Sequence, residues 1–331
     1  MPENRTNVKA ALLALAGFAV FATHDAVIKA LGGTYSPFQI LFFSILFSFP
    51  LVALMLMRDR EPGNLRPVNP KWIAARTVAA VMVGFSAFYA FSVLPLAQAY
   101  AFMFAAPLMI TVLSIPILGE KVGIHRWAAV VLGLTGVLIV LRPGAEELTI
   151  GHLAGLTAAL GTAFVSVITR KIGQQERSAV LMLYPMMANL ILMGALLPFV
   201  YKPMPITDLG LQMIVAMGGF GGGLIIILAY RAGDAAIVAP MQYSQIIWGT
   251  LAGLFFFNET PDRYTAIGAS IVIAAGLYVV LRESFGGKSV NTPVLRTRSR
   301  SGAASSMNVG AVLRTTDPHR TGQTSKTTND P

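Results

Sequence analysis

Residues 107–127 read PLMITVLSIPILGEKVGIHRW, and residues 239–259 read APMQYSQIIWGTLAGLFFFNE. Each contains an apolar run that ends at a carboxylate, Glu120 in one and Glu259 in the other, 139 positions apart. The spacing recurs elsewhere. Val140-Leu141-Arg142 and Val280-Leu281-Arg282 close later apolar runs at an offset of 140. Lys29 with Gly32, and Arg170 with Gly173, close earlier ones at 141. Plain identity adds little: 90–120 against 229–259 gives four matches in 31 positions, near chance for sequences this apolar. The shared landmarks carry the case for one unit used twice.

Working outward, ten apolar segments fill residues 8 to 282: 8–30, 38–57, 72–93, 97–118, 126–142, 151–170, 178–200, 209–230, 234–256 and 262–282. About 20 apolar residues span a bilayer core. Gly32-Gly33, Pro95, Pro143-Gly144, Pro203 and Pro261 mark helix ends. The fold class expected is therefore an all-α membrane protein of ten transmembrane helices in two five-helix repeats, over 8–142 and 151–282. A unit with an odd number of spans enters the membrane in opposite senses in its two copies. Such inverted repeats frame a site near the midplane and suit alternating access.

Composition agrees. Hydrophobic residues make up 55% of the 331-residue chain, charged residues 12%, and the mean hydropathy is +0.65. Soluble domains carry about twice that charge fraction. The net charge of +10 is no nucleic-acid signal, because seven of the 25 Lys and Arg residues lie beyond Arg282 and most others lie in loops. With the N-terminus in the cytoplasm, twelve loop Lys and Arg residues fall inside and only Arg142, Lys202 and Arg263 outside. Both termini are expected inside. Residues 284–331, rich in Ser, Thr, Arg and Gly, are expected to form a disordered basic cytoplasmic tail. Cysteine is absent, which excludes disulfides and thiolate chemistry.

His24, Asp25 and Lys29 are the costliest residues of the first helix, and ionisable groups at membrane depth point to function. Asp25 and Lys29 are four apart, so they share a face and can pair; a purely structural pair is the plain alternative. In the ninth segment, Gln242, Tyr243, Gln245 and Trp248 follow Pro240. Two amides and two aromatics suit a polar or planar organic solute, and helix–helix glue is the alternative. Tyr89 with Ser86, and Tyr100 with Phe102 and Phe104, offer aromatic walls. Glu120 and Glu259 read as caps or loop anchors, and Arg76 as an anchor at the cytoplasmic end of the third span. The Gly218–Gly223 run lacks the Lys-Ser/Thr of a phosphate loop, and reads as a packing or bending element.

The His24-Asp25-x-x-x-Lys29 helix end, the two long segments quoted above and the GVLIVLRPG ending of the first half resemble the drug/metabolite transporter superfamily. Within it the chain is similar to EamA-type ten-helix permeases, with some similarity to S-adenosylmethionine uptake carriers. The resemblance implies a secondary transporter moving a small organic metabolite (amino acid, nucleoside-like or vitamin-like solute) across a bacterial cytoplasmic membrane by alternating access. It implies no enzyme activity, cofactor or metal. The translocation path is expected at His24, Asp25, Tyr89, Gln242, Tyr243, Gln245 and Trp248. The partners expected are a small-molecule substrate and the lipid bilayer, not nucleic acid; proton coupling and a homodimer stay open. A membrane-embedded enzyme or a non-transporting scaffold is the rival reading.

Overall fold

A computed structural model of the chain describes residues 2–57, 65–120, 122–143, 147–233 and 235–285. All regular structure among them is helical. The helices are α1 (Pro2–Gly32), α2 (Pro37–Met57), α3 (Pro70–Val93), α4 (Leu96–Met103), α5 (Ala106–Leu118), α6 (Ile124–Leu141), α7 (Ile150–Ile172), α8 (Ser178–Val200), α9 (Ile206–Ala232), α10 (Ala235–Val238), α11 (Ser244–Phe257) and α12 (Arg263–Phe285), with a 3-10 turn over Ala239–Tyr243. Nine spans among the described residues have the length and apolarity to cross a membrane. Residues 235–257 supply the tenth in pieces, too broken to register as one long helix. The expected tail at 284–331 lies almost wholly outside the described residues.

Local sequence sets the helix ends. Pro70 and Pro37 occupy first-turn positions, where a missing N–H costs nothing. Thr149 and His152 form a capping box at the start of α7. Gly119 and Asn258 end α5 and α11 in left-handed conformations, φ 72° and 53°. They are 139 apart, and each precedes its glutamate. The interior prolines Pro50, Pro116, Pro185 and Pro198 are tolerated because neighbouring helices can satisfy freed backbone groups.

The fourth and ninth spans were expected as continuous helices and are not. The fourth breaks at Phe104-Ala105 and the ninth unwinds into the 3-10 turn at 239–243. Shifted by 139, Phe104 becomes Tyr243. Those two rings meet edge to face at 5.0 Å. Equivalent residues that touch each other must lie at the axis relating the halves, so both breaks sit at the centre of the molecule. Discontinuous helices of this kind open backbone groups toward a cavity.

Packing follows the same exchange. α1 runs along α9, and α3 along α7; α5 packs on α7, and α11 on α1; α6 pairs with α12, and α2 with α8. Loop contacts repeat too. The side chain of Gln39 bonds the backbone of Lys202 in both directions, 2.6 and 2.9 Å, while Glu176 receives the N–H groups of Val68 and Asn69. Tyr35 bonds Asp208, and Asn69 bonds Gln175, the same pair exchanged between halves. Spans alternate in direction, so these paired contacts fall on opposite faces. We call the face with the start of α1 and the end of α12 the terminal face, and the other the far face. The Gly218–Gly223 run forms a seam rather than a hinge. A Cβ on Gly218 would meet His24 at 3.1 Å, and one on Gly222 would meet Phe21 at 2.9 Å, so α9 lies unusually close to α1.

Candidate functional site

Asp25 sits about two turns inside the far end of α1 and is 1% exposed. Its Oδ1 lies 2.8 Å from His24 Nδ1, and its Oδ2 receives the hydroxyl of Tyr100 at 2.6 Å. The local Asp25–Lys29 pair that helical spacing allows is not the arrangement found. Lys29 instead pairs with Glu259 Oε1 at 2.7 Å and donates to the Leu94 carbonyl at 2.6 Å. The reason is reach. The turn between α3 and α4 brings the Leu94 carbonyl, and the end of α11 brings the Glu259 carboxylate, to the end of α1, while Tyr100 on α4 occupies the Asp25 carboxylate deeper in.

Aromatic rings wall this cluster. Phe88 meets His24 edge-on at 6.1 Å. Phe91, Phe104 and Tyr243 continue from Tyr100 at ring separations of 5.3, 6.0 and 5.0 Å. The wall needs a glycine. The Tyr100 ring packs so close to Gly249 on α11 that any side chain there would overlap it. A carboxylate with two donors inside an aromatic shell is a strong electrostatic feature, because low-dielectric surroundings amplify every charge.

The other expected residues divide. Tyr243 and Gln245 are buried at the break of the ninth span, the former 5% and the latter 4% exposed. Gln242 is half-buried on the same turn. Trp248 is 39% exposed beside the exposed Ile247, so it does not join the buried cluster. Tyr89 is half-buried and continues a ladder with Phe85 and Phe38, at 6.1 and 4.5 Å. The structure thus brings His24, Asp25 and Tyr243 to one aromatic core, with Tyr89 on a separate ladder of the α2–α3 side.

Several residues play parts that the sequence reading did not assign. Tyr100 was read only as wall, yet it is the hydroxyl donor to Asp25. Glu120 pairs with Arg170, and Glu259 with Lys29, so the two glutamates are bridge partners rather than simple caps. The signal was present: acid and base recur at matching offsets, and each acid meets the base of the other half. Arg76 is 7% exposed and reaches Thr169 Oγ1 at 2.7 Å and the Leu181 carbonyl at 2.6 Å. It is a buried strut between α3, α7 and α8. His152 caps its own helix and lies 3.1 Å from the Gln98 side chain.

On the far face a cleft of about 210 Å³ is lined by Gln98, Arg142, Thr250, Glu259, Asp262 and Thr265, among others. Arg142 pairs with Asp262 and stacks on Tyr264, 4.5 Å from its centroid. The cleft is thus a polar vestibule whose wall includes Glu259, the partner of Lys29. Among the described residues no group of His, Cys, Asp or Glu has a metal-holding arrangement.

Comparisons with known proteins agree with this architecture. The family profile described as EamA-like transporter family matches residues 8–142 and 149–282. An S-adenosylmethionine uptake transporter of Rickettsia bellii is 27% identical over 265 residues, covering 79% of this chain and 90% of the relative. A riboflavin transporter of Rhizobium johnstonii is 29% identical over 245 residues, covering 73% and 78%. Human solute carrier family 35 member G1 is 26% identical over 250 residues, covering 70% and 68%. A solved crystal structure aligns with a TM-score of 0.56 at 21% identity, over 83% of this chain and 97% of that one, which shows a shared fold. The ten-span bundle, the doubled unit and the family match converge: this chain belongs to the EamA-like transporter family, a multi-pass membrane transporter of small organic molecules and not an enzyme.

Proposed function

We propose that this transporter carries a solute that joins a planar heteroaromatic ring to a polar chain, in the manner of a nucleoside-like or vitamin-like metabolite. The observation that carries the reading is Asp25, a buried carboxylate held by His24 and Tyr100 within a shell of Phe88, Phe91, Phe104 and Tyr243. Aromatic faces stack on planar rings, and a carboxylate recognises a cationic or hydrogen-donating head. Gln242 and Gln245 add amides that pair with polar ring edges. Trp248 and Tyr89 join the path at its edges. Relatives named for S-adenosylmethionine and for riboflavin both handle heteroaromatic solutes, which supports the same class here.

The proposal places both termini in the cytoplasm, as the charge bias of the loops favours, and the protein in a bacterial cytoplasmic membrane. It includes proton coupling through the His24–Asp25 pair, since an imidazole 2.8 Å from a buried carboxylate beside the aromatic shell offers a route for a proton. The test is thermal stabilisation of the purified full chain by a panel of solutes. Heteroaromatic nucleosides, S-adenosylmethionine and flavins should raise the melting temperature, and Asp25→Asn should abolish the rise. Stabilisation by aliphatic amino acids alone overturns the reading.

A further inference from the structure

The far-face cleft gathers both signs of charge in a small space. Its charged lining comes from the end of α6, with Arg142, and from the loop between α11 and α12, with Glu259 and Asp262. Each of these groups is held in place by its neighbours. Arg142 ends α6 in the left-handed conformation, φ 44°, pairs with Asp262 and stacks on Tyr264. Asp262 also receives the Thr265 N–H at 2.7 Å. Glu259 holds Lys29 through Oε1 and the Leu96 N–H through Oε2. A carboxylate offers about four acceptor positions, so both acids keep acceptor capacity beyond these contacts. The Asp262 side chain is 40% exposed, which leaves its pair with Arg142 open to an incoming group.

Charge decides the class of occupant. Two carboxylates face one guanidinium, and Lys29 stands behind Glu259, so the cleft and its support are neutral together. A simple cation or anion would pair with one sign and leave the other uncompensated in a partly desolvated space. A dipolar group satisfies both, with an ammonium on Glu259 or Asp262 and a carboxylate on the planar fork of Arg142. Gln98 and Thr250 add neutral hydrogen-bonding groups to the lining. At about 210 Å³ the cleft is smaller than the roughly 300–1,000 Å³ of sites that enclose a whole drug-sized ligand, so it suits one end of a solute.

The floor ties the cleft to the aromatic core. Gly249 of α11 lines the cleft, and the Tyr100 ring fills the space where its side chain would stand. Tyr100 in turn donates to Asp25. Cleft and aromatic shell thus meet across a single stretch of backbone.

We infer that the far-face cleft is a docking site for an amino-carboxylate group, where the dipolar end of the solute is held on its way into or out of the aromatic core. Arg142, Glu259 and Asp262 bind that end, while Tyr264 and Thr265 position them. For the solute that travels onward the inference rests on the proposed ring-and-chain class; the chemistry of the cleft stands without it.

Three probes built on one skeleton test the site. L-Methionine carries both charges, 3-(methylthio)propylamine lacks the carboxylate, and 4-(methylthio)butanoate lacks the ammonium. Their binding to the full chain in nanodiscs is read by saturation-transfer magnetic resonance titration. L-Methionine should bind at least about tenfold tighter than either truncated probe, as loss of one charge-assisted contact implies. In Arg142→Gln it should bind no better than the amine, and Arg142→Lys, which keeps the charge, should restore part of the preference. Equal affinity of the three probes overturns the inference, as does an unchanged preference in Arg142→Gln or a lysine variant that restores nothing. If the Arg142 variants fail to insert, the wild-type comparison decides alone. Adenosine and riboflavin titrated alongside keep the two readings apart. Ring binding without L-methionine binding overturns the cleft and leaves the substrate class. L-Methionine binding that depends on Arg142, without any ring binding, supports the cleft and overturns the substrate class.

Discussion

Tyr100→Phe isolates a single hydrogen bond at the centre of the site. The ring stays, with its contacts to Phe91, Phe104 and the Cα of Gly249. Only the hydroxyl that donates to Asp25 at 2.6 Å is removed. Both residues are almost fully buried, Asp25 at 1% and Tyr100 at 2% exposure, so water cannot substitute. A bond to a charged partner in such surroundings contributes roughly 1.5–3 kcal/mol. At roughly 2–4 °C per kcal/mol the melting temperature should fall by about 3–12 °C. Asp25→Asn keeps the shape and removes the charge, so in that background the same hydroxyl makes a neutral bond of about 1 kcal/mol at most. The double-mutant cycle should therefore show a coupling of about 1–2 kcal/mol, read from reversible unfolding in mixed micelles. Additivity of the two substitutions within about 0.5 kcal/mol would refute the contact and the site built on it.

Other outcomes follow from single features. Gly249→Leu should lower folded yield and stability by about 1–3 kcal/mol, because the side chain overlaps the Tyr100 ring; Gly221→Leu, with open space at its Cβ, is the control, and equal behaviour of the two contradicts the close approach. Asp208 accepts the Tyr35 hydroxyl at 2.5 Å in the far-face loops, which pushes the phenol from 10 up to about 12. The protonated phenol is the donor and its folded pKa is raised, so the contact is complete below about pH 10 and lost as pH rises through about 12; the tyrosinate absorbance missing from Tyr35→Phe should titrate near 12, and a midpoint near 10 contradicts the bond. Reporter fusions should place residue 64 and the C-terminus in the cytoplasm, and residues 146 and 204 outside; finding 64 and 146 on one side contradicts the topology.

The fold was largely legible in the sequence because lipid demands long apolar helices, which composition and length reveal. The offset of 139 between Glu120 and Glu259 located the repeat, while the left-handed conformations of Gly119 and Asn258 before them emerged only from the structure. What the sequence reading missed was where the fourth and ninth spans break, although Pro107 and Pro240 stand beside the two interruptions and each removes a helix N–H. Partner choice was also hidden. Asp25 and Lys29 share a helix face and looked like a local pair. Each is instead claimed by a residue far away in sequence, Tyr100 in one case and Glu259 in the other. Helical spacing ranks local neighbours and says nothing about what a neighbouring helix presents. Trp248 illustrates the same limit, since one helix face can begin buried at Gln245 and end exposed.

The proposed solute path runs through the core where Asp25, His24 and Tyr100 meet the broken ninth span. The most direct test is uptake of radiolabelled heteroaromatic solutes into proteoliposomes containing equal amounts of inserted wild-type or Asp25→Asn protein. The account predicts saturable uptake above empty liposomes for the wild type and loss of at least about tenfold for the variant, as removal of a charged contact of about 1.4 kcal/mol or more implies. Saturable uptake by Asp25→Asn at the wild-type rate would contradict it.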